Sequence, residues 1–197
     1  MKVTVLKYLF AVSIGLALLS ACGLSDEERQ RLDAQFVKKR ESDISKYLSS
    51  ANNYYKAGKY FSAKYAAIQA KNFGVTKYSD TLNAIIASVD SMQADFNRRF
   101  PDYKIVTTNH YPKCQNFHIK FTAKSKALIS KFLKEYASLY CPEQFTIMIY
   151  KNESARDLMT KYPLTREEYR RLAKTTTAML VWEDEEVWFD PYKDAFN

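Results

Sequence analysis

Glycine is nearly missing from this sequence: Gly15, Gly23, Gly58 and Gly74 are all there is among 197 residues, and none follows Gly74. A Walker loop or a G-x-G-x-x-G turn needs clustered glycines so that the backbone can approach phosphates closely. Nucleotide folds of those kinds are therefore excluded. Histidine stops at two and cysteine at three. Neither H-E-x-x-H nor G-x-S-x-G occurs, which removes the common zinc-protease and hydrolase signatures. Proline is absent from the first hundred residues; Pro101, Pro112, Pro142, Pro163 and Pro191 all come later. The longest apolar run, about residues 8–20, falls short of the roughly 20 residues of a bilayer-spanning helix. What is present is globular in balance, 47% hydrophobic and 26% charged with a formal charge of +8. A disordered tail and a polytopic membrane protein are both excluded.

The beginning of the chain is its most specific feature. Lys2 to Lys7 is a short basic stretch, an apolar run follows, and Leu19-Ser20-Ala21-Cys22 closes it with small residues before a cysteine. These four residues resemble the lipobox of bacterial lipoproteins. That resemblance implies cleavage after Ala21, a diacylglycerol and further acylation (palmitate among the acyl chains) at Cys22, and a mature protein without a spanning helix. Gly23, standing where Asp would retain a lipoprotein at the inner membrane, implies sorting to the outer membrane; the expected side is its periplasmic face, although no motif marks the leaflet. Two or more acyl chains, at about 0.8 kcal/mol per buried methylene, make a stable anchor. Removal of Lys2 and Lys7 with the signal peptide lowers the formal charge from +8 to +6.

The proline distribution divides the rest. Residues 1–21 read as the signal peptide, 22–100 as a helical segment and 101–197 as an α+β domain. In the helical segment Ser25-Asp26-Glu27-Glu28 is a capping box. The helix it opens carries Leu32, Phe36 and Val37 beside Arg29, Arg31, Lys38, Lys39 and Arg40. Its cations lie close enough to a lipidated Cys22 to meet anionic headgroups. Further on, Tyr47, Ala51, Tyr54, Gly58, Tyr60, Ala63 and Ala70 resemble the spacing of one tetratricopeptide repeat, in which large residues alternate with Ala or Gly so that two antiparallel helices pack closely. The resemblance implies helices over about residues 43–57 and 60–73, turning at Gly58, with a third from 78 to 100. Val75 stands where such repeats often carry Pro, and no second unit follows. Tyr47, Tyr54, Tyr55 and Tyr65 are the candidate partner-binding aromatics of this segment.

After Pro101 the periodicity alternates. Residues 104–108, 117–122, 145–150, 179–182 and 187–189 read as strands. A helix opens at Ser125 with an apolar stripe of Leu128, Ile129, Phe132, Leu133, Tyr136, Leu139 and Tyr140. A short helical piece spans 155–162, and Thr165-Arg166-Glu167-Glu168 is a second capping box. The order predicts a small, mainly antiparallel sheet covered on one face by two helices.

Cys114 and Cys141 are an even pair in an oxidising compartment and form a candidate disulfide. Closing that loop would add roughly 3 to 4 kcal/mol on the chain-entropy estimate. The alternative is a metal site: His110, Cys114 and His118 at four-residue spacing, with Cys141, supply four zinc-type ligands. The acidic run Glu183 to Glu186 reads as a solvated turn. Neither histidine has a neighbouring carboxylate to suggest a triad. Lys120, Lys124, Lys126, Lys131 and Lys134 form one basic cluster, and Arg166, Arg170, Arg171 and Lys174 another. Anionic lipid or lipopolysaccharide suits an envelope protein as their partner; nucleic acid does not. The expectation is a non-enzymatic, cofactor-free binding or assembly module, tethered to the membrane and facing a protein partner. The alternative is an envelope metal-binding protein or hydrolase centred on His110, Cys114, His118 and Cys141.

Overall fold

The computed structural model describes residues 25–74, 78–111, 114–123, 125–183 and 186–192. The expected signal segment, Cys22, Val75, Pro112, Lys124 and the middle of the acidic run lie outside them. The chain divides into two units, Met1–Lys46 and Tyr47–Asn197. In the first, helix α1 (Asp26–Lys56) starts at the expected capping box: Ser25 N–H donates to Glu28 Oε2 at 2.9 Å and Glu28 N–H to Ser25 Oγ at 3.3 Å. Asp26, Glu27 and Glu28 place negative charge on its N-terminal turn, where the helix dipole favours it. Phe36 and Val37 are exposed. The two helices expected on either side of residue 43 are one continuous helix, because no residue in that stretch breaks it.

The second unit does not split at Pro101. Its helical part joins the end of α1 to α2 (Tyr60–Asn72) and α3 (Ser79–Arg99). Gly58 makes the turn between α1 and α2 at φ +72°, in the left-handed region. Ala51, Ala63, Ala66, Ala67 and Ala70 are buried together with Leu82 and Ile85. With nothing beyond Cβ on five of those seven residues, the helices can approach closely.

Among the described residues the sheet has five strands in sequence order: β1 (Lys104–His110), β2 (Gln115–Lys120), β3 (Phe145–Tyr150), β4 (Thr176–Val181) and β5 (Trp188–Phe189). All neighbouring pairs are antiparallel except β2 with β3, which run parallel because α4 (Lys126–Tyr140) crosses between them. The class is α+β, helices first and then a mostly antiparallel sheet. Ser125 caps α4 by accepting from Leu128 N–H. Ile129, Phe132, Leu133, Tyr136 and Leu139 then bury its stripe against Phe117, Ile119, Ile147, Ile149, Ala178 and Leu180.

The covering of the sheet differs from expectation. Only α4, with the end of α3, packs on that front face; the 3-10 turn Arg156–Leu158 and α5 (Arg166–Ala173) pack on the back. Val106, Tyr150, Ala155, Leu158, Met159 and Leu172 form this second core. The reason lies in β3, where Met148 and Tyr150 alternate with Ile147 and Ile149, so both faces of the central strand are apolar. The Thr165–Glu168 capping box opens α5 as its spacing requires.

Aromatic rings pack across Pro101, between the helical segment and the sheet. Phe96 of α3 and Phe100, the residue that caps it, lie 5.3 Å, centroid to centroid, from Phe132, which stacks on Phe121 at 4.3 Å and on Tyr136 at 5.7 Å. Phe132→Ala should therefore lower unfolding free energy by about 3 to 5 kcal/mol. Gly58→Ala, which meets nothing within 4 Å but keeps an unfavourable φ, should cost only roughly 1 kcal/mol. Urea denaturation of the two variants measures both.

Candidate functional site

The four candidate metal ligands are not brought together. Strand parity separates them: β2 sends Phe117 and Ile119 to the front core, so His118 between them faces the back. His110 pairs with Gln115, in phase with Phe117, and is exposed at the end of β1. Four-residue spacing preserves a face only within one unbroken strand, and here a hairpin turn intervenes. Among the described residues no three His, Cys, Asp or Glu side chains converge as a metal-binding group.

The expected Cys114–Cys141 disulfide is not formed either; both are free thiols. Cys114 Sγ donates to Asn116 Oδ1 at 3.3 Å, and Asn116 alternates with front-facing Phe117. Cys141 closes α4 and is buried in the front core, which pushes its thiol pKa up. The sulfurs thus belong to opposite sides of the sheet.

On the back face His118 is the centre of a closed polar chain. Asn109 Nδ2 bonds both Met159 carbonyl oxygen, at 3.0 Å, and His118 Nε2, at 3.3 Å. An amide nitrogen only donates, so Nε2 accepts and the ring proton sits on Nδ1. Nδ1–H then donates to Tyr150 Oη at 2.9 Å, and the Tyr150 hydroxyl donates to Met148 Sδ at 3.3 Å. The His118 and Tyr150 rings stack with centroids 5.8 Å apart. Burial holds His118 down at a pKa of about 4 and raises that of Tyr150. Both stay neutral near pH 7.

The four candidate partner-binding tyrosines are mostly occupied within the fold. Tyr47 stacks on Phe73 at 5.7 Å. Tyr54 donates to Glu143 Oε1 at 2.7 Å, a bond that raises its pKa. The Tyr55 hydroxyl meets Ser88 Oγ at 2.6 Å. Tyr65 alone of the four is open, at 58% exposure.

Among the described residues, open clefts lie on either side of the second unit's helices and late strands. One, of about 780 Å³, lies between α2, α3 and α4 and includes Asp95, Arg99, Lys131, Lys134 and Glu135 in its walls. Its carboxylates are engaged: Arg99 holds Glu135 through both terminal nitrogens and Asp95 through Nε at 2.7 Å, while Arg98 bonds Asp95 at 2.6 Å. These arginine hydrogen bonds lower the pKa of Asp95. Lys131 and Lys134 are its remaining cations. The other cleft, of about 540 Å³, includes Lys151, Arg170, Lys174, Thr177 and Asp190. The two basic clusters are also partly spent: Lys126 lies 5.0 Å over the Phe189 ring and Arg171 pairs with Asp157 at 2.7 Å.

No family model, curated protein or solved structure matches this chain. Sequence reasoning missed Asn109, Met148 and Tyr150 as companions of His118. Alternation in β3 carried the signal, since Met148 and Tyr150 share a parity; their alignment with His118 required the strand register. As pH falls the unfolded chain protonates His118 near 6.5 and the folded chain only near 4. Stability from this residue is therefore complete above about pH 6.5 and lost progressively toward pH 4. Unfolding free energy should drop between pH 7.5 and 4.5 by on the order of 2 to 3 kcal/mol more in the parent chain than in His118→Gln, as read by urea melts at the two pH values.

Proposed function

We propose that the protein is a lipid-anchored lipoprotein of the bacterial cell envelope that acts as a non-enzymatic binding or assembly module at the outer membrane. The observation that carries this reading is Leu19-Ser20-Ala21-Cys22 behind a basic and then apolar leader. Acyl chains on Cys22 confine the module to a surface and so raise its effective concentration toward membrane-bound partners. Among the described residues, Tyr65 on α2 offers an exposed aromatic to a protein partner. Lys131 and Lys134 in one cleft, and Lys151 and Lys174 in the other, offer charge to anionic lipid or lipopolysaccharide. The tetratricopeptide-like reading of the hairpin is supported by its alanine-lined core and the left-handed Gly58. The alternative of a zinc protein or hydrolase centred on His110, Cys114, His118 and Cys141 lacks the convergence it requires.

The test is Cys22→Ala in the expressed full chain. The parent should fractionate with membranes and gain the mass of its acyl chains after losing residues 1–21. The variant should remain unprocessed and unacylated. Acylation and processing that persist in the variant would overturn the proposal.

A further inference from the structure

The smaller cleft, of about 540 Å³, is assembled by backbone pairing at the start of β4. Lys151, the residue after β3, donates its N–H to the Thr175 carbonyl at 3.0 Å, and Asp190, the residue after β5, donates its own to the Thr177 carbonyl at 3.0 Å. The first bond sets Lys151 beside Lys174, the residue that caps α5, and Arg170 stands one helical turn before it. The described lining thus carries three cations against one carboxylate, that of Asp190. Among the described residues neither Lys151 nor Lys174 forms an ion pair. In the larger cleft, by contrast, Arg99 is held by both Asp95 and Glu135.

The same wall holds an unanswered hydroxyl. Thr177 Oγ1 is the one buried side-chain polar atom without a hydrogen-bond partner among the described residues. A buried polar group left alone is costly, so its presence calls for a partner from outside the fold. Thr177 as a whole is half-buried, and one staggered step about χ1 exchanges the places of its hydroxyl and its methyl. The neighbouring hydroxyls are committed: Thr175 and Thr176 both donate to the Leu172 carbonyl, at 2.8 and 3.0 Å. Together with the Lys174 N–H they answer the carbonyl end of α5, whose partial negative charge would otherwise oppose an anion.

We propose that this cleft binds a phosphomonoester group. Its lining has an excess of two positive charges, which matches the charge of about −1.5 to −2 that a phosphomonoester carries at pH 7. A phosphodiester or a carboxylate brings only one negative charge. Lys151 and Lys174 supply charge-assisted donors from the two sides of the Thr175 corner, and the Thr177 hydroxyl donates to a remaining phosphate oxygen. The phosphate is borne either by a lipid headgroup or by a soluble ester. A lipid source rests on the reading of the protein as an envelope lipoprotein; the site itself does not.

The experiment uses the full chain in a non-ionic detergent, with threonine methyl groups labelled with ¹³C. Glycerol 3-phosphate should move the Thr176 and Thr177 methyl signals and leave Thr107 and Thr108 of β1 in place, and sodium chloride at the same ionic strength should move none. Lys151→Gln/Lys174→Gln should weaken binding of the ester at least about tenfold. Thr177→Val keeps the side-chain shape and removes the unsatisfied hydroxyl. It should weaken binding about three- to tenfold while leaving stability in urea unchanged or higher. A hydroxyl with a merely structural role would leave the affinity where it was. Dihexanoyl phosphatidic acid separates the two sources: tighter binding than glycerol 3-phosphate assigns the site to a lipid, and equal binding assigns it to a soluble ester. Thr176 and Thr177 signals that stay in place with both monoesters would overturn the proposal. So would dihexanoyl phosphatidylglycerol, a diester, binding as tightly as phosphatidic acid. Acylation of Cys22 is read in none of these arms, so loss of the phosphate site and loss of the anchor are separate results.

Discussion

The packing of Phe132 against rings from both sides of Pro101 is the contact on which the second unit depends. Phe96 and Phe100 reach it from α3, Phe121 from the end of β2, and Tyr136 from the next turn of α4. Each ring pair contributes about 0.5 to 1.5 kcal/mol beyond the area it buries. Because the partners come from separate elements, the same cluster that seals the sheet also holds the helical segment to it. Polar contacts reinforce the join: Ser138 donates to the Gly58 carbonyl, Gln93 Nε2 donates to the Leu139 carbonyl at 2.8 Å, and Tyr54 reaches Glu143. The turn between α1 and α2 is thereby tied to α4 as well as to its own helices.

With the front face committed to this aromatic core, the chemistry of the protein is left to the back. There the polar atoms of Asn109, His118 and Tyr150 satisfy one another in a single direction, ending on the Met148 sulfur. Such a buried chain is stable only when complete, since each lost partner leaves an unsatisfied group in a low-dielectric interior. The neutral state of His118 and the orientation of its ring follow from that requirement.

The helical segment uses its distinctive residues differently from what their types suggest. Tyrosines that would suit an interface instead close the fold, with their hydroxyls on Ser88 and Glu143 and one ring on Phe73. Tyrosine is favourable in that role because a large apolar body buries area while its polar tip finds a partner. Of the four tyrosines, Tyr65 is left to the outward surface of the helical segment.

Local features were legible in the linear chain because they depend on neighbours within four residues. The Ser25 and Thr165 capping boxes, the Ser125 cap, the apolar stripe of α4, the span of β3 and the left-handed turn at Gly58 all follow from such spacing. The sheet's mostly antiparallel character and the helices-then-sheet order followed from the succession of periods. What residue types and spacing could not determine was which face of the sheet each side chain occupies relative to residues of other strands. That separated His110 from His118, placed Cys114 and Cys141 on opposite sides and moved α5 to the back. Strand register and ring packing between distant segments decide these matters, and a one-residue change of phase at a hairpin reverses the face of everything after it. The apolar run before Cys22 is a property of the sequence alone; the alignment of His118, Met148 and Met179 exists only once three strands are in register.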